Sequence, residues 1–399
     1  MTTPLNIGIA GAGIGGLAAA GFLARAGHKV TVFDQFERPT PVGSGLVVQP
    51  VGQMVLAALG VLDRAMGMGH VIERMIGTEA ASGQKVLNIT YAKANDTRFG
   101  LAMHRASLFD CVHFAALQAG ARLVPATTIT ATENTPKGRF LLAAGDRLGP
   151  FDLVIDASGA TSPLSPITLA PLEFGALWAT VDTPAGITPE PILAQCYRKS
   201  ATMVGILPVG TLPGSPTHKT AVFWSLKRAD FARWQAAPFA DWQAEASNLW
   251  PVFAPYAAAL GDHSQMTMAR YSHGTLRFPI GPRLAFIGDA AHATSPQLGQ
   301  GANMALLDAL ALAEALRQLP LEQALPHYAR TRRWHVWLYQ LISHYLTPFY
   351  QSDSQILPLA RDTLLAPISD IPPIRGILQR LVSGELISIG PLRHHHQRN

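Results

Sequence analysis

Cysteine is nearly missing from this chain of 399 residues, with Cys111 and Cys196 the two present. Two thiols make no disulfide framework and show no metal-ligand spacing, so no metal is expected and both read as free, buried or partly buried groups of a reducing cytoplasm. Charge is scarce as well. Asp, Glu, Lys and Arg make up 14% of the chain, against about a quarter in ordinary globular proteins. The net charge of +5 is spread without a basic block, which excludes a nucleic-acid footprint and suits an anionic ligand. No clean membrane-spanning run is present either: glycines in a turn pattern interrupt the apolar stretch Ile7–Ala24, and no basic segment precedes it, which argues against a signal peptide or a span. What dominates instead is apolar content, 48% of residues, enough for a large core and an apolar pocket or outer patch.

Against that background two glycine turns stand out. Asn6–Ala10 reads as a short apolar strand, Gly11-Ala12-Gly13-Ile14-Gly15-Gly16 as a GxGxxG turn, and Leu17–Ala26 as a small-residue helix. A second strand, Lys29–Phe33, ends in Asp34, with Gln35 and Arg38 just beyond. This is a dinucleotide fingerprint in full context. Gly11 makes the turn, Gly13 admits a pyrophosphate, Gly16 lets helix and strand pack closely, and Asp34 accepts hydrogen bonds from an adenine ribose. Ile14, Gly15, Gln35 and Arg38 complete that cofactor-binding set.

The second turn lies far downstream. Leu284–Ile287 reads as a buried strand and Met304–Leu316 as a helix, and the loop between them carries Gly288, Asp289, Pro296, Gly299 and Gly301. A helix beginning near Gly301 leaves the backbone N–H groups of Gly301, Ala302 and Asn303 free at its positive end, where an anionic group should sit. A nicotinamide enzyme needs no second cofactor turn at this distance. FAD, with its ribityl chain and isoalloxazine, spans far enough to need both.

These residues, with His104-Arg105-Ala106-Ser107-Leu108, Asp308-Ala309 and the segment Ala324–Arg332, resemble the FAD-dependent monooxygenases of the para-hydroxybenzoate hydroxylase type. The resemblance runs from residue 7 to about 335. It implies an α/β fold: a Rossmann-like FAD-binding domain with a parallel sheet, an inserted, mainly antiparallel substrate domain, and a C-terminal helical segment. It also implies hydroxylation of an aromatic or similarly activated ring with NAD(P)H and O₂, through a flavin C4a-hydroperoxide. It sets Gly45 beside the flavin ring and Arg105 on the ribityl or phosphate region, gives Asp289 the ribityl hydroxyls, and makes Pro296 the catalytic candidate, pressing on the ring side and excluding water. His292 is expected to be structural.

One departure keeps other chemistry open. The family carries an Asp-Gly pair and a following Arg after the strand that ends here at Asp156, whereas this chain has Ser158-Gly159 and Ser165. The loss of that charge pair leaves a reductase or halogenase fed by externally reduced flavin, or a non-catalytic flavin-binding scaffold, as alternatives.

The expected division assigns residues 1–70, 99–172 and 274–345 to the cofactor half, 71–98 and 173–273 to the substrate sheet, and 346–399 to a C-terminal helical cap and polar tail. Met54–Met66 reads as one helix, and Val71–Ala80 with Lys85–Tyr91 as a strand pair. The strand-like runs between residues 173 and 271 read as one antiparallel sheet. Trp178, Met203, Phe223 and Trp224 are candidate pocket walls, with plain core packing as the alternative. Residues 351–383 look similar to the tail of ubiquinone-pathway hydroxylases, which implies a quinone-like or lipophilic phenolic substrate and peripheral membrane contact. A cap on the cofactor half is the simpler expectation. His394–His396 read as solvated. A monomer or homodimer acting on a small molecule completes the picture.

Overall fold

The computed structural model describes residues 3–37, 44–91, 98–369 and 371–387, so Arg38 and His394–His396 lie outside the described residues. The expected α/β fold is found. A six-stranded sheet runs in the order Ile280–Gly281, Leu284–Phe286, Leu153–Asp156, Asn6–Ala10, Lys29–Phe33, Arg122–Val124. Every pairing in it is parallel except that of the two-residue edge strand.

A parallel sheet must be covered on both faces, and alternation along the strands divides the work. Ile7, Ile9, Val30, Val32, Leu153 and Ile155 face the helices Ile14–Arg25, Arg105–Gln118 and Gly301–Gln318. Ala10, Phe33, Val154 and Phe286 face a three-stranded antiparallel sheet spanning residues 131–151, through Leu141, Ala143 and Phe151. Small residues let the first and third of these helices meet closely at the site: a Cβ on Gly15 would stand 3.2 Å from that of Ala305.

The second large sheet has eight strands, in the order 292–293, 267–275, 170–182, 218–227, 202–211, 192–198, 74–79, 85–90. The strands between residues 170 and 275 pair antiparallel with one another, as expected, and Ile192–Arg198 adds Arg74–Glu79 to them in parallel. One face is buried under the helices between residues 231 and 258, around Trp224, Trp234, Trp242 and Phe253. The opposite face carries Met203, Leu207 and Phe223.

Two local expectations change. The helix expected over Met54–Met66 is two helices, Pro50–Ala58 and Leu62–Met68, broken where Gly60 takes a positive φ of 72° that continues no helix. The strand expected over Val71–Ala80 splits. His70–Ile72 joins Gly45–Val48 and Gly100–His104 in a small sheet, while Glu73 turns its N–H to Pro191 O and Arg74–Glu79 enters the large one.

The helix Leu321–Tyr350 continues without a break through residue 345, and short helices then lead to Pro372–Ser383. Among the described residues no helix is long and apolar enough to cross a membrane, and no cluster of metal-ligating side chains occurs. Both cysteines are free and buried.

Candidate cofactor and substrate site

The two glycine turns, remote in sequence, line one cavity of about 630 Å³. Gly11, Gly13, Ile14, Gly15, Asp34, Gln35, Arg105, Gly288, Asp289, Gly301 and Ala302 all border it. The three fingerprint glycines have three different reasons. Gly11 has φ +99°, and a Cβ there would lie 2.5 Å from Ala157 O. Gly16 does not border the cavity; its Cβ would meet Gly11 O at 2.1 Å, so it packs helix against turn. Gly13 is extended, at φ −74° and ψ −178°, and the nearest atom to its added Cβ is 4.0 Å away, so bareness there serves the cavity.

The helical ladder starts at Leu17 N–H to Gly13 O, 2.9 Å, and leaves earlier N–H groups at the helix start outside it. Asp34 accepts from Ala12 N–H at 2.8 Å and from Phe36 N–H at 3.0 Å, which locks the carboxylate in place with lone pairs to spare. Phe36, Phe109 and Thr127–Thr130 also line this end. No sequence signal marks Thr127–Thr130. They arrive because strand Arg122–Val124 sits beside Lys29–Phe33 and Thr127 N–H reaches Asp34 O at 2.7 Å.

At the other end, the helix from Gly301 makes its first bond from Met304 N–H to Gln300 O, 2.8 Å. The N–H groups of Gly301, Ala302 and Asn303 therefore stand outside the ladder, as the sequence suggests. Asn303 itself is a correction, since it borders neither cavity described here. Its side chain accepts from Gln49 N–H at 2.9 Å and donates to Val47 O at 3.1 Å and Gly299 O at 3.0 Å, clamping the helix start to strand Gly45–Val48. Asp289 is exposed, and it borders the cavity. The protein packed around the cavity raises its pKa, opposed by the charges of His292 and Arg105.

Behind the turn lies a buried charge cluster. Asp308 accepts from Gly288 N–H at 2.9 Å and Arg332 Nε at 2.6 Å, and lies 2.6 Å from His292 Nε2. Burial disfavours its charged form, but His292 and Arg332 outweigh this and hold the carboxyl at about 2. His292 is thus structural, as expected.

Arg332 Nη1 lies 3.2 Å from His335 Nδ1 and can only donate, so His335 carries its proton on Nε2 and donates to Gly384 O at 3.0 Å. Burial, then Arg332, lowers the His335 pKa to about 3. The unfolded chain takes up that proton near pH 6.5 and the folded one does not, so stability is complete above that value and declines as pH falls toward 3. The expected loss is about 1.4 kcal/mol per pH unit. His335→Gln, which keeps an acceptor and a donor, should flatten the slope of urea-unfolding free energy between pH 6 and 4 by about that amount. An unchanged slope would refute the assignment.

The Ser158 turn is committed internally. Asp156 is wholly buried and accepts from Ser158 N–H at 3.0 Å and Ser162 Oγ at 2.6 Å. Ser158 Oγ donates to Ala10 O at 3.2 Å and Ser165 Oγ to Ala290 O at 2.6 Å. Hydroxyls here weld the turn to the first strand and to the Gly288–Ala290 turn.

A second cavity of about 690 Å³ shares Arg105, Asp289, Gly301 and Ala302 with the first. Gly45, Pro296 and Gly299 border it near that junction, and Trp178, Met203 and Phe223 line it from the sheet. Trp224 does not, because the period of two along its strand turns it into the helix-covered core. Trp178 Nε1 donates to Tyr271 Oη at 2.8 Å. Gln49 is fully buried, and its Oε1 accepts from Tyr91 Oη at 2.7 Å. Gln49 and Tyr271 belong to no motif, so no signal in the sequence marks either. The end of the long helix and the C-terminal helices close this cavity through Leu346, Tyr350, Ile368, Ile374 and Leu378, which makes the C-terminal segment a wall of the second cavity.

The comparisons agree with this geometry. A family model described as an FAD binding domain matches residues 173–339, and one described as an NAD(P)-binding Rossmann-like domain matches residues 9–45. The chain is 27% identical over 345 residues to 3-amino-4-hydroxybenzoate 2-monooxygenase of Streptomyces cremeus, covering 79% of each protein. It is 24% identical over 366 residues to 6-hydroxynicotinate 3-monooxygenase of Pseudomonas fluorescens, covering 86% of this chain and 91% of that protein. The crystal structure of Klebsiella pneumoniae HpxO complexed with FAD and uric acid superposes with a TM-score of 0.79 at 21% identity, over 96% of this chain and 98% of that one. In sequence the chain is thus similar to FAD-dependent monooxygenases that act on aromatic rings, and in fold to a flavoprotein of that kind.

Proposed function

We propose that this protein hydroxylates an aromatic or similarly activated ring with NAD(P)H and O₂, and that the two cavities hold FAD and the ring substrate respectively. The observation that carries this is the junction. One elongated cavity begins at the fingerprint and ends at the Gly301 helix start, where it opens through Arg105, Asp289, Gly301 and Ala302 into a second cavity. FAD supplies the redox and oxygen chemistry when bound.

The chain's residues bind and orient it. Gly11–Gly15 and the helix start behind them would take the pyrophosphate, while Asp34, Gln35 and the Thr127–Thr130 segment would take the adenosine. Asp289 and Arg105 would take the ribityl chain. The N–H groups at Gly301 and Ala302 would hold negative charge on the pyrimidine edge of the ring, a fixed contribution that needs no reorganisation. Pro296, with Gly45 and Gly299, would shape the ring's surroundings and limit water. The relatives named above act, by their names, on an aminohydroxybenzoate and a hydroxynicotinate, and oxidation of a hydroxylated ring is their common chemistry. We also propose the cytoplasm as the place of action, and a division into cofactor half, substrate sheet and C-terminal segment, with the helix Leu321–Tyr350 shared between the first and last.

The test is to purify the protein with FAD and measure NAD(P)H oxidation with candidate rings under ¹⁸O₂. A product one oxygen heavier, with the label incorporated, is the expected result. NAD(P)H oxidation that yields only hydrogen peroxide with every ring, or product formed only with halide and externally reduced flavin, would sink it.

A further inference from the structure

The second cavity is as informative for what borders it as for its size. Apart from Arg105 and Asp289, which it shares with the cofactor cavity, it is bordered by no Asp, Glu, Lys, Arg or His among the described residues. Arg105 stands at the cofactor end, where its charge already acts on Asp289. A carboxylate entering deeper would lose its water and find no cation, a cost that keeps isolated ions out of protein interiors.

The polar groups on offer suit an uncharged ring. Gln49 is wholly buried, and its Nε2 has no hydrogen-bond partner. Tyr271 accepts from Trp178, which leaves its own hydroxyl proton to give; burial pushes its pKa up to about 12, so that proton stays in place.

The far wall is aliphatic and built in. Ile368, Ile374, Leu378 and Leu381 of the C-terminal helices line it opposite the sheet. Three hydrogen bonds fasten the last of these helices. Gln300 Nε2 donates to Val382 O at 2.7 Å, Tyr339 Oη to Leu381 O at 2.9 Å, and His335 Nε2 to Gly384 O at 3.0 Å. The first comes from the loop that begins the cofactor-end helix, so this wall is held in register with the ring site. Leu365 and Ile368 both line the cavity and are 41% and 39% exposed, which places them at its mouth.

We propose that the substrate is an uncharged ring bearing an aliphatic tail of several carbons, the ring toward Gln49 and Tyr271 and the tail against the C-terminal helices. This rests on the hydroxylase reading for the ring's position, and it excludes the small aromatic carboxylates.

The test titrates the FAD-loaded protein with four ligands, following the flavin absorbance spectrum: phenol, para-hydroxybenzoate, para-heptylphenol, and para-heptylphenol with a carboxylate at the chain end. Para-heptylphenol should bind at least about a hundred-fold more tightly than phenol, since each buried methylene adds to affinity. The chain-end carboxylate should cost at least about ten-fold. Para-hydroxybenzoate binding as tightly as para-heptylphenol would overturn the proposal.

Leu378→Asp should weaken para-heptylphenol at least about ten-fold while leaving phenol binding and FAD content unchanged. Ile374→Ser is a milder variant with the same expected split. Equal losses for both ligands in the two FAD-loaded variants, or none, would overturn the tail's placement. Tight para-heptylphenol binding without oxygen incorporation would remove the hydroxylase reading and leave this inference standing. Hydroxylation confined to anionic rings would do the reverse.

Discussion

Gly13→Val is expected to give a folded, colourless protein. Gly13 has an extended backbone that any residue adopts, and a Cβ there meets no atom closer than 4.0 Å, so the apo fold should stay within about 1 kcal/mol of the parent. The new methyls project into the cofactor cavity, in front of helix-start N–H groups meant for an anion, and FAD affinity should fall at least about a hundred-fold. Gly301→Val should behave alike, because nothing lies within 4 Å of its added Cβ. Gly16→Val, in contrast, should fail to fold, since its Cβ would lie 2.1 Å from Gly11 O, a backbone atom with no room to yield. Flavin-to-protein ratio after purification, with urea unfolding of the apo forms, separates the two behaviours. Stoichiometric FAD in Gly13→Val would disprove the placement of the cofactor.

Asp308→Asn should lower the unfolding free energy by about 3–5 kcal/mol, a large share of the about 5–15 kcal/mol that holds a typical domain together. The substitution keeps the shape but leaves Arg332, 1% exposed, as a buried cation without its counterion. It also exchanges the carboxylate that receives Gly288 N–H and His292 for a weaker acceptor, so the Gly288–Asp289 turn should loosen and FAD affinity drop with stability.

The sign of the acid response follows. A carboxyl held at about 2 when folded and near 4 when unfolded stabilises the protein above pH 4, and that contribution disappears as pH falls toward 2. Asp308→Asn lacks it at every pH. Urea unfolding at neutral pH decides the matter, and a loss below about 1 kcal/mol would mean the cluster is not the support described.

The cofactor half was legible in the amino-acid sequence because its requirements are local. Gly11 must adopt a left-handed φ, Gly13 must be bare, Asp34 must end the second strand, and a helix must begin at Gly301 with free N–H groups; each is written within a few residues. The substrate half was only partly legible. Trp178, Met203, Phe223 and Trp224 look alike in sequence, and which of them faces a cavity depends on what covers each side of the sheet. Gln49, Tyr271 and Thr127–Thr130 belong to no motif and gain their roles from strand order. Asn303 reads as a helix-start donor and is instead a clamp, because Gln49 and Val47 come to it from more than two hundred residues away. The C-terminal helices read as a cap, and tertiary contacts alone, from Gln300, His335 and Tyr339, make them a wall. Backbone geometry at a turn is set by neighbours in the chain, whereas the shape and charge of a cavity are set by neighbours in space.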